Sequence, residues 1–169
     1  MSIPETIAQN PELAVLASII LRAILVWQRG LSWYEYRTLH GLKRLVAQLY
    51  PSDTIGPVSL VNRKGGRDDA EYLGYSEASP REVVRELRSE GFALHLLASL
   101  KVRPVGQASY AQLVVTDDEM QTECYLFSAE GGTDVYAHFE RSAGSIRHLT
   151  DTDQVDGDPR EVVPEGLYA

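Results

Sequence analysis

His138 and Glu140 lie two residues apart in Asp134–Glu140, a segment that alternates apolar and polar residues. In a strand, residues i and i+2 share one face. His148 falls in the short run 146–149, which suits an edge strand beside them. Two imidazoles and a carboxylate are ligands that zinc or iron accepts. Exposed histidines on a polar sheet face give the same pattern, and that is the expectation here: no metal, no cofactor and no catalytic group. Asp151, Asp153, Asp156 and Asp158 have the density of a calcium loop. The glycine there falls at loop position seven instead of six, however, and position twelve is Val162, which offers no carboxylate.

Other chemical motifs are absent. There is no GxSxG elbow and no Cys-His pair close in sequence. The single Cys124 excludes an intrachain disulfide and a cysteine-based zinc site, suits a reducing cytoplasm, and alternates onto the apolar side of its segment. Arg63 to Asp69, RKGGRDD, carries its lysine before the glycines and lacks a GK[ST] ending, so it reads as a charged turn and not as a phosphate loop.

Pro80 to Glu90 is a helix by every local sign. Ser79 with Glu82 makes a capping box, and Pro80 suits the first helical position. Arg81, Arg85 and Arg88 stack along one flank, Glu82, Glu86 and Glu90 along the next, with Val83, Val84 and Leu87 inward. Like charges at i, i+4 cost a few tenths of a kcal/mol per pair, so segregating the signs gives up a little helix stability for a flank of one sign. Such a flank suits phosphates or guanine edges, and equally an acidic patch on a protein partner or on this chain. Most flanks of this kind are simply solvated.

The residues before that helix carry a family resemblance. Counted from Ala70, the sequence has Gly74 at +4, Ser76 at +6, Pro80 at +10, Val84 at +14, Leu87 at +17, Gly91 at +21 and Phe92 at +22. This spacing resembles the winged helix-turn-helix of GntR- and MarR-type regulators, over 23 of the 169 residues. Pro80 departs from the β-branched residue usual in those families. The resemblance implies a small dimeric regulator of duplex DNA, reading with Arg81, Arg85 and Arg88 and holding phosphates with Arg63, Lys64 and Arg67. Ala70 to Tyr75 serves equally as the return strand of a hairpin. The second functional expectation is a non-catalytic interaction or accessory protein.

The elements expected around these residues make an α+β domain over 1–150: an N-terminal helical hairpin (1–51), a central hairpin or winged-helix-like part with one amphipathic helix (58–103), and a C-terminal antiparallel meander (107–149). Residues 151–169 read as an acidic tail or loosely docked extension. In the first helix, Asn10 and Pro11 mark the start and Gly30 the end. Its apolar run, Leu13 to Trp27, is about 22 Å of helix, short of a membrane span. It suits a core, or a homodimer seam through residues 11–29. Ser32 with Glu35 opens the second helix, with Leu39, Leu42, Leu45, Val46 and Leu49 as its inward face. Phe92 to Arg103 reads as a buried strand or a helix. In the meander, Leu113, Val115, Cys124, Leu126, Val135, Ala137 and Phe139 fall on the core side. Gln112, Glu123, Tyr125, Tyr136, His138 and Glu140 fall on the other, where Tyr125, Tyr136, Gln112 and His138 are the candidate partner or ligand face.

The net charge of -8 is distributed unevenly. Residues 104–169 hold thirteen acids against three bases, whereas residues 33–103 hold nine acids and eleven bases. A locally basic middle on an acidic chain allows DNA binding and makes it steeply salt-sensitive. The N-terminus has no base before Arg22 and so lacks the positive start of a signal peptide.

Overall fold

The computed structural model describes residues 19–20, 23–24, 26–49, 54–55, 58–59, 61–62, 71–96, 98–103, 106–117, 120–142 and 157–169. The chain is α+β, built on a five-stranded antiparallel sheet. Helix α1 spans Trp33–Leu49 and helix α2 spans Pro80–Ser89. The strands are β1 (Thr54–Ile55), β2 (Val58–Ser59), β3 (Val61–Asn62), β4 (Tyr72–Ser76), β5 (Ala93–Leu94), β6 (Leu100–Lys101), β7 (Ala111–Thr116), β8 (Met120–Ala129) and β9 (Gly132–Arg141). The large sheet has the order β4-β9-β8-β7-β5, so the expected meander β7-β8-β9 forms its centre. Two small pairs, β1-β2 and the parallel β3-β6, lie outside it. Among the described residues no helix is long and apolar enough to cross a membrane.

The period-two pattern sets the register. Glu123 faces His138, Tyr125 faces Tyr136 and Gln121 faces Glu140 across β8-β9. The intervening residues Cys124, Leu126, Val135 and Ala137, with Leu113 of β7, are buried in the main core. Gly131 closes the β8-β9 turn with a φ of +77°, a conformation glycine adopts without steric cost. Helix α2 lays Val83, Val84 and Leu87 on this apolar face. Its cap is as expected: the Ser79 N–H donates to the Glu82 carboxylate at 2.9 Å.

Three expectations change, and one open choice is decided. Tyr72 to Tyr75 is extended. Tyr72–Ser76 is a strand hydrogen-bonded to β9, with a register shift between Tyr72 and Gly74. Tyr72 and Leu73 are better used there, Tyr72 against Tyr136 and Leu73 in the main core, than exposed on a short helix. The region 92–103 is neither a long strand nor a helix; it holds the two-residue strands β5 and β6.

Helix α1 also turns opposite to expectation. Leu42, Leu45 and Leu49 are exposed, and Trp33, Tyr36, Arg37, His40 and Lys43 point inward. The reason is backbone chemistry at the sheet edge. Strand β5 covers only two residues of β7, and the next free β7 donor, the Gln112 N–H, is taken by the Tyr36 hydroxyl at 2.9 Å. Lys43 donates to the carbonyls of Leu96 (3.0 Å) and Ala98, and Arg37 to that of Tyr110 (2.7 Å). Leucines cannot satisfy buried carbonyls and N–H groups, whose neglect costs about 1–3 kcal/mol each.

Residues 157–169, finally, are not a free tail. Val163 and Leu167 are buried in the main core, and Ala169 exchanges two backbone hydrogen bonds with Tyr75. Gly74 permits this approach, because a Cβ there would lie 2.6 Å from the Ala169 carbonyl oxygen.

A buried carboxylate–imidazole cluster on the second face of the sheet

The expected partner face is present as a face, but it is not open. Gln112 and Tyr125 are fully buried and Tyr136 is 9% exposed; only His138 retains partial exposure. Residues 99–103 and 106–109, together with Glu71 and Tyr72, lie over them. Gln112 donates to the Ser99 carbonyl, Lys101 sits 5.1 Å from the centre of the Tyr125 ring, and Arg103 lies 4.2 Å above Phe127. Tyr125 stacks on Tyr136 with centroids 5.3 Å apart, and Phe127 meets both edge-on. Arg103 completes this layer by pairing with Asp134 at 2.7 Å and donating to the Tyr136 hydroxyl at 3.2 Å. The aromatics are therefore a second core, and no protein surface is presented by Tyr125 or Tyr136.

Beside this layer the charged residues converge. His138 Nε2 lies 3.2 Å from Glu123 Oε2 and 3.5 Å from Glu140 Oε2. The other oxygen of each carboxylate is held by a glutamine, Glu123 Oε1 by Gln112 (2.8 Å) and Glu140 Oε1 by Gln121. On the far side of the ring, His138 Nδ1 is 3.6 Å from Glu71 Oε1, and the Tyr125 hydroxyl donates to Glu71 Oε2. Lys101 stands 3.7 Å from Glu123 Oε2. Burial decreases from Glu123 (4% side-chain exposure) through His138 (14%) to Glu140 (28%), so the group opens outward at Glu140.

The protonation states follow from this packing. Burial alone would lower the His138 pKa; the hydrogen bonds to Glu123 and Glu140 outweigh it and push it up to about 9. Burial would raise Glu123, but Lys101 and His138 hold it well below the usual carboxylate range. Glu140 is lowered in the same way by His138. His95, 3% exposed, is driven down by burial, although Glu123 and Glu140 act against that. Cys124 lies on the opposite, apolar face, and burial raises its thiol pKa as for an inert small side chain.

Sequence reasoning paired His138 with Glu140 and assigned Glu123 to the same face. It missed Glu71, Lys101, Gln121 and His95. Their only sequence trace is that they are polar residues next to apolar runs, and nothing local pairs residues as distant as Glu71 and Tyr125. His148, Asp151, Asp153, Asp156, Arg63, Lys64 and Arg67 lie outside the described residues. Arg81, Arg85 and Arg88 are exposed on α2, on the side turned away from the sheet and remote from the cluster. Comparison with known proteins gave no matching family model, no similar curated protein and no similar solved structure.

Proposed function

We propose that this protein is a non-catalytic interaction module whose N-terminal helical layer is completed by another protein surface, with a second copy of the chain as the favoured occupant. One observation carries the reading. Tyr34, Leu42, Leu45 and Leu49 form a single stripe along α1 and are 81%, 57%, 50% and 73% exposed. Just upstream, Val26 and Trp27 are 67% and 54% exposed, which extends the apolar surface into the segment expected as a homodimer seam. Scattered exposed leucines need no explanation, but three exposed leucines within two turns on one face of a helix mark a docking face. A stripe facing its own symmetry mate is self-complementary, which favours a two-fold dimer.

Sedimentation equilibrium of the full chain tests this. The expected result is a reversible dimer in the micromolar range for the wild type and a monomer for Leu45→Glu, with unchanged far-ultraviolet circular dichroism. A wild type that stays monomeric throughout that range would sink the self-association reading.

A second reading takes duplex DNA as the partner. It is supported by the exposed Arg81, Arg85 and Arg88 flank alone. The described residues just before α2 are the strand Tyr72–Ser76, so this reading rests on that flank and not on a neighbouring helix.

A further inference from the structure

We propose that Glu123, His138 and Glu140 form a binding site for one divalent transition-metal ion. The three side chains offer ligand atoms that all lie within 4.8 Å of one another. With separations of 3.2 and 3.5 Å from Nε2, an ion about 2.0–2.2 Å from each ligand subtends about 95–120° between the imidazole nitrogen and either carboxylate oxygen. That range covers tetrahedral and five-coordinate geometry. The two carboxylate oxygens, within 4.8 Å of each other, must then close to about 4.4 Å or less, a movement open to the less buried Glu140. One imidazole with two carboxylates is a donor set of intermediate hardness, suited to zinc, iron or manganese more than to calcium.

The surroundings carry the inference beyond a chance meeting of charges. Both carboxylate ligands have a hydrogen-bonded outer partner, as metal ligands typically do, and the imidazole has a carboxylate 3.6 Å behind it. Gln112 and Gln121 occupy the Oε1 atoms and so turn both Oε2 atoms toward His138 Nε2. The Glu71 carboxylate, 3.6 Å from Nδ1 and not hydrogen-bonded to it, attracts a proton to that nitrogen by charge, so the proton an ion displaces is the one on Nε2. Tyr125 in turn holds Glu71.

A further buried atom lies close by. His95 Nδ1, in a side chain 3% exposed, has no hydrogen-bond partner among the described residues and lies within the field of Glu123, Glu140 and His138. Buried polar groups are nearly always paired, so an unpartnered ring nitrogen near three ligand side chains is a further donor available to an ion. Charge agrees: among the groups in ion-pair contact, three carboxylates face Lys101 and one imidazole, and a divalent ion replacing the imidazole proton balances them.

Cobalt(II) is the probe, because its visible bands report coordination number. Full-length protein stripped with EDTA is titrated with cobalt(II) alone, and zinc is then added. The expected result is one equivalent bound, with intense bands of four- or five-coordinate metal that zinc abolishes. Glu140→Gln alters the least buried ligand and should weaken binding on the order of 10–100-fold or more, with the fold intact by circular dichroism. Should that variant misfold, Glu71→Gln leaves all three ligands in place and is expected to weaken binding on the order of tenfold. An absence of saturable cobalt binding, or binding undiminished in the folded variant (as for an ion held by the acidic run 151–158), overturns the site.

Discussion

His40 shows what the inward turn of α1 costs at the level of one side chain. Its ring is 1% exposed and stacks on Tyr36 at 5.3 Å, and neither ring nitrogen has a hydrogen-bond partner among the described residues. Burial first, and then the charges of Lys43, Arg37 and Arg44, lower its pKa to about 3. Unfolded, the same ring titrates near the ordinary histidine value of 6.5. The native state thus binds fewer protons than the unfolded chain below about pH 6.5. Its stability is complete above that pH and is lost as the pH falls toward about 3. Between pH 7 and about pH 4.5 this group alone removes about 2–3 kcal/mol. His40→Phe keeps the stacked ring and cannot charge, so its urea-unfolding free energy should fall by that much less over the same range. Parallel pH curves for wild type and variant would refute this assignment. Sequence gave little warning, since an isolated histidine on a leucine-rich helix reads as partly exposed. Only the turn of the helix decides whether it is wet.

At the scale of elements, short-range patterns were legible and long-range docking was not. Alternation identified β7, β8 and β9 and assigned Leu113, Cys124, Leu126, Val135 and Ala137 to the core correctly. Both capping boxes formed as their spacing required: Ser32 N–H donates to Glu35 at 2.8 Å, as Ser79 does to Glu82. Each of these depends on residues within a few positions of one another. The face of α1 and the fate of residues 157–169 depend on partners far away in sequence. Val163, Leu167 and Tyr168 are too few and too spaced, in a run of acids and prolines, to announce a packed segment. Their burial has a measurable consequence. Leu167→Ala should destabilise by about 2–4 kcal/mol through the lost side chain and the cavity left behind, with the denaturant m-value unchanged. A change below a few tenths of a kcal/mol would mean that the segment leaves the core in solution.

For the molecule as a whole, the α+β class followed from element order, but the use of the sheet did not. Polar residues alternating with apolar ones ordinarily mean one dry face and one wet face. Here both faces are covered, and the polar one holds paired charged side chains and stacked tyrosines. No local pattern distinguishes a solvated Glu123 from one that is 3% exposed; the distant Lys101 and the residues around it do. Overall charge bears on the DNA reading. A chain of net charge -8 repels phosphate at long range, so any binding would depend on the α2 flank and vanish at moderate salt. Under that reading Arg81→Ala with Arg85→Ala abolishes retention on duplex DNA at low salt and leaves Tm nearly unchanged, both residues being exposed. Equal retention of the double variant and the wild type would discard it.

Lys43 and Leu45 ride on the same rigid rod, one facing in and the other out. The ammonium is anchored to the carbonyls of Leu96 and Ala98 and contributes to the field at Glu123 and sits in that of Lys101, while the leucine offers a handle to whatever lies outside. A guest that rolled the rod about its axis would drag that positive charge along with it. The hidden acids would sense a visitor they never touch, and by reciprocity any change in their own load would loosen or tighten its grip.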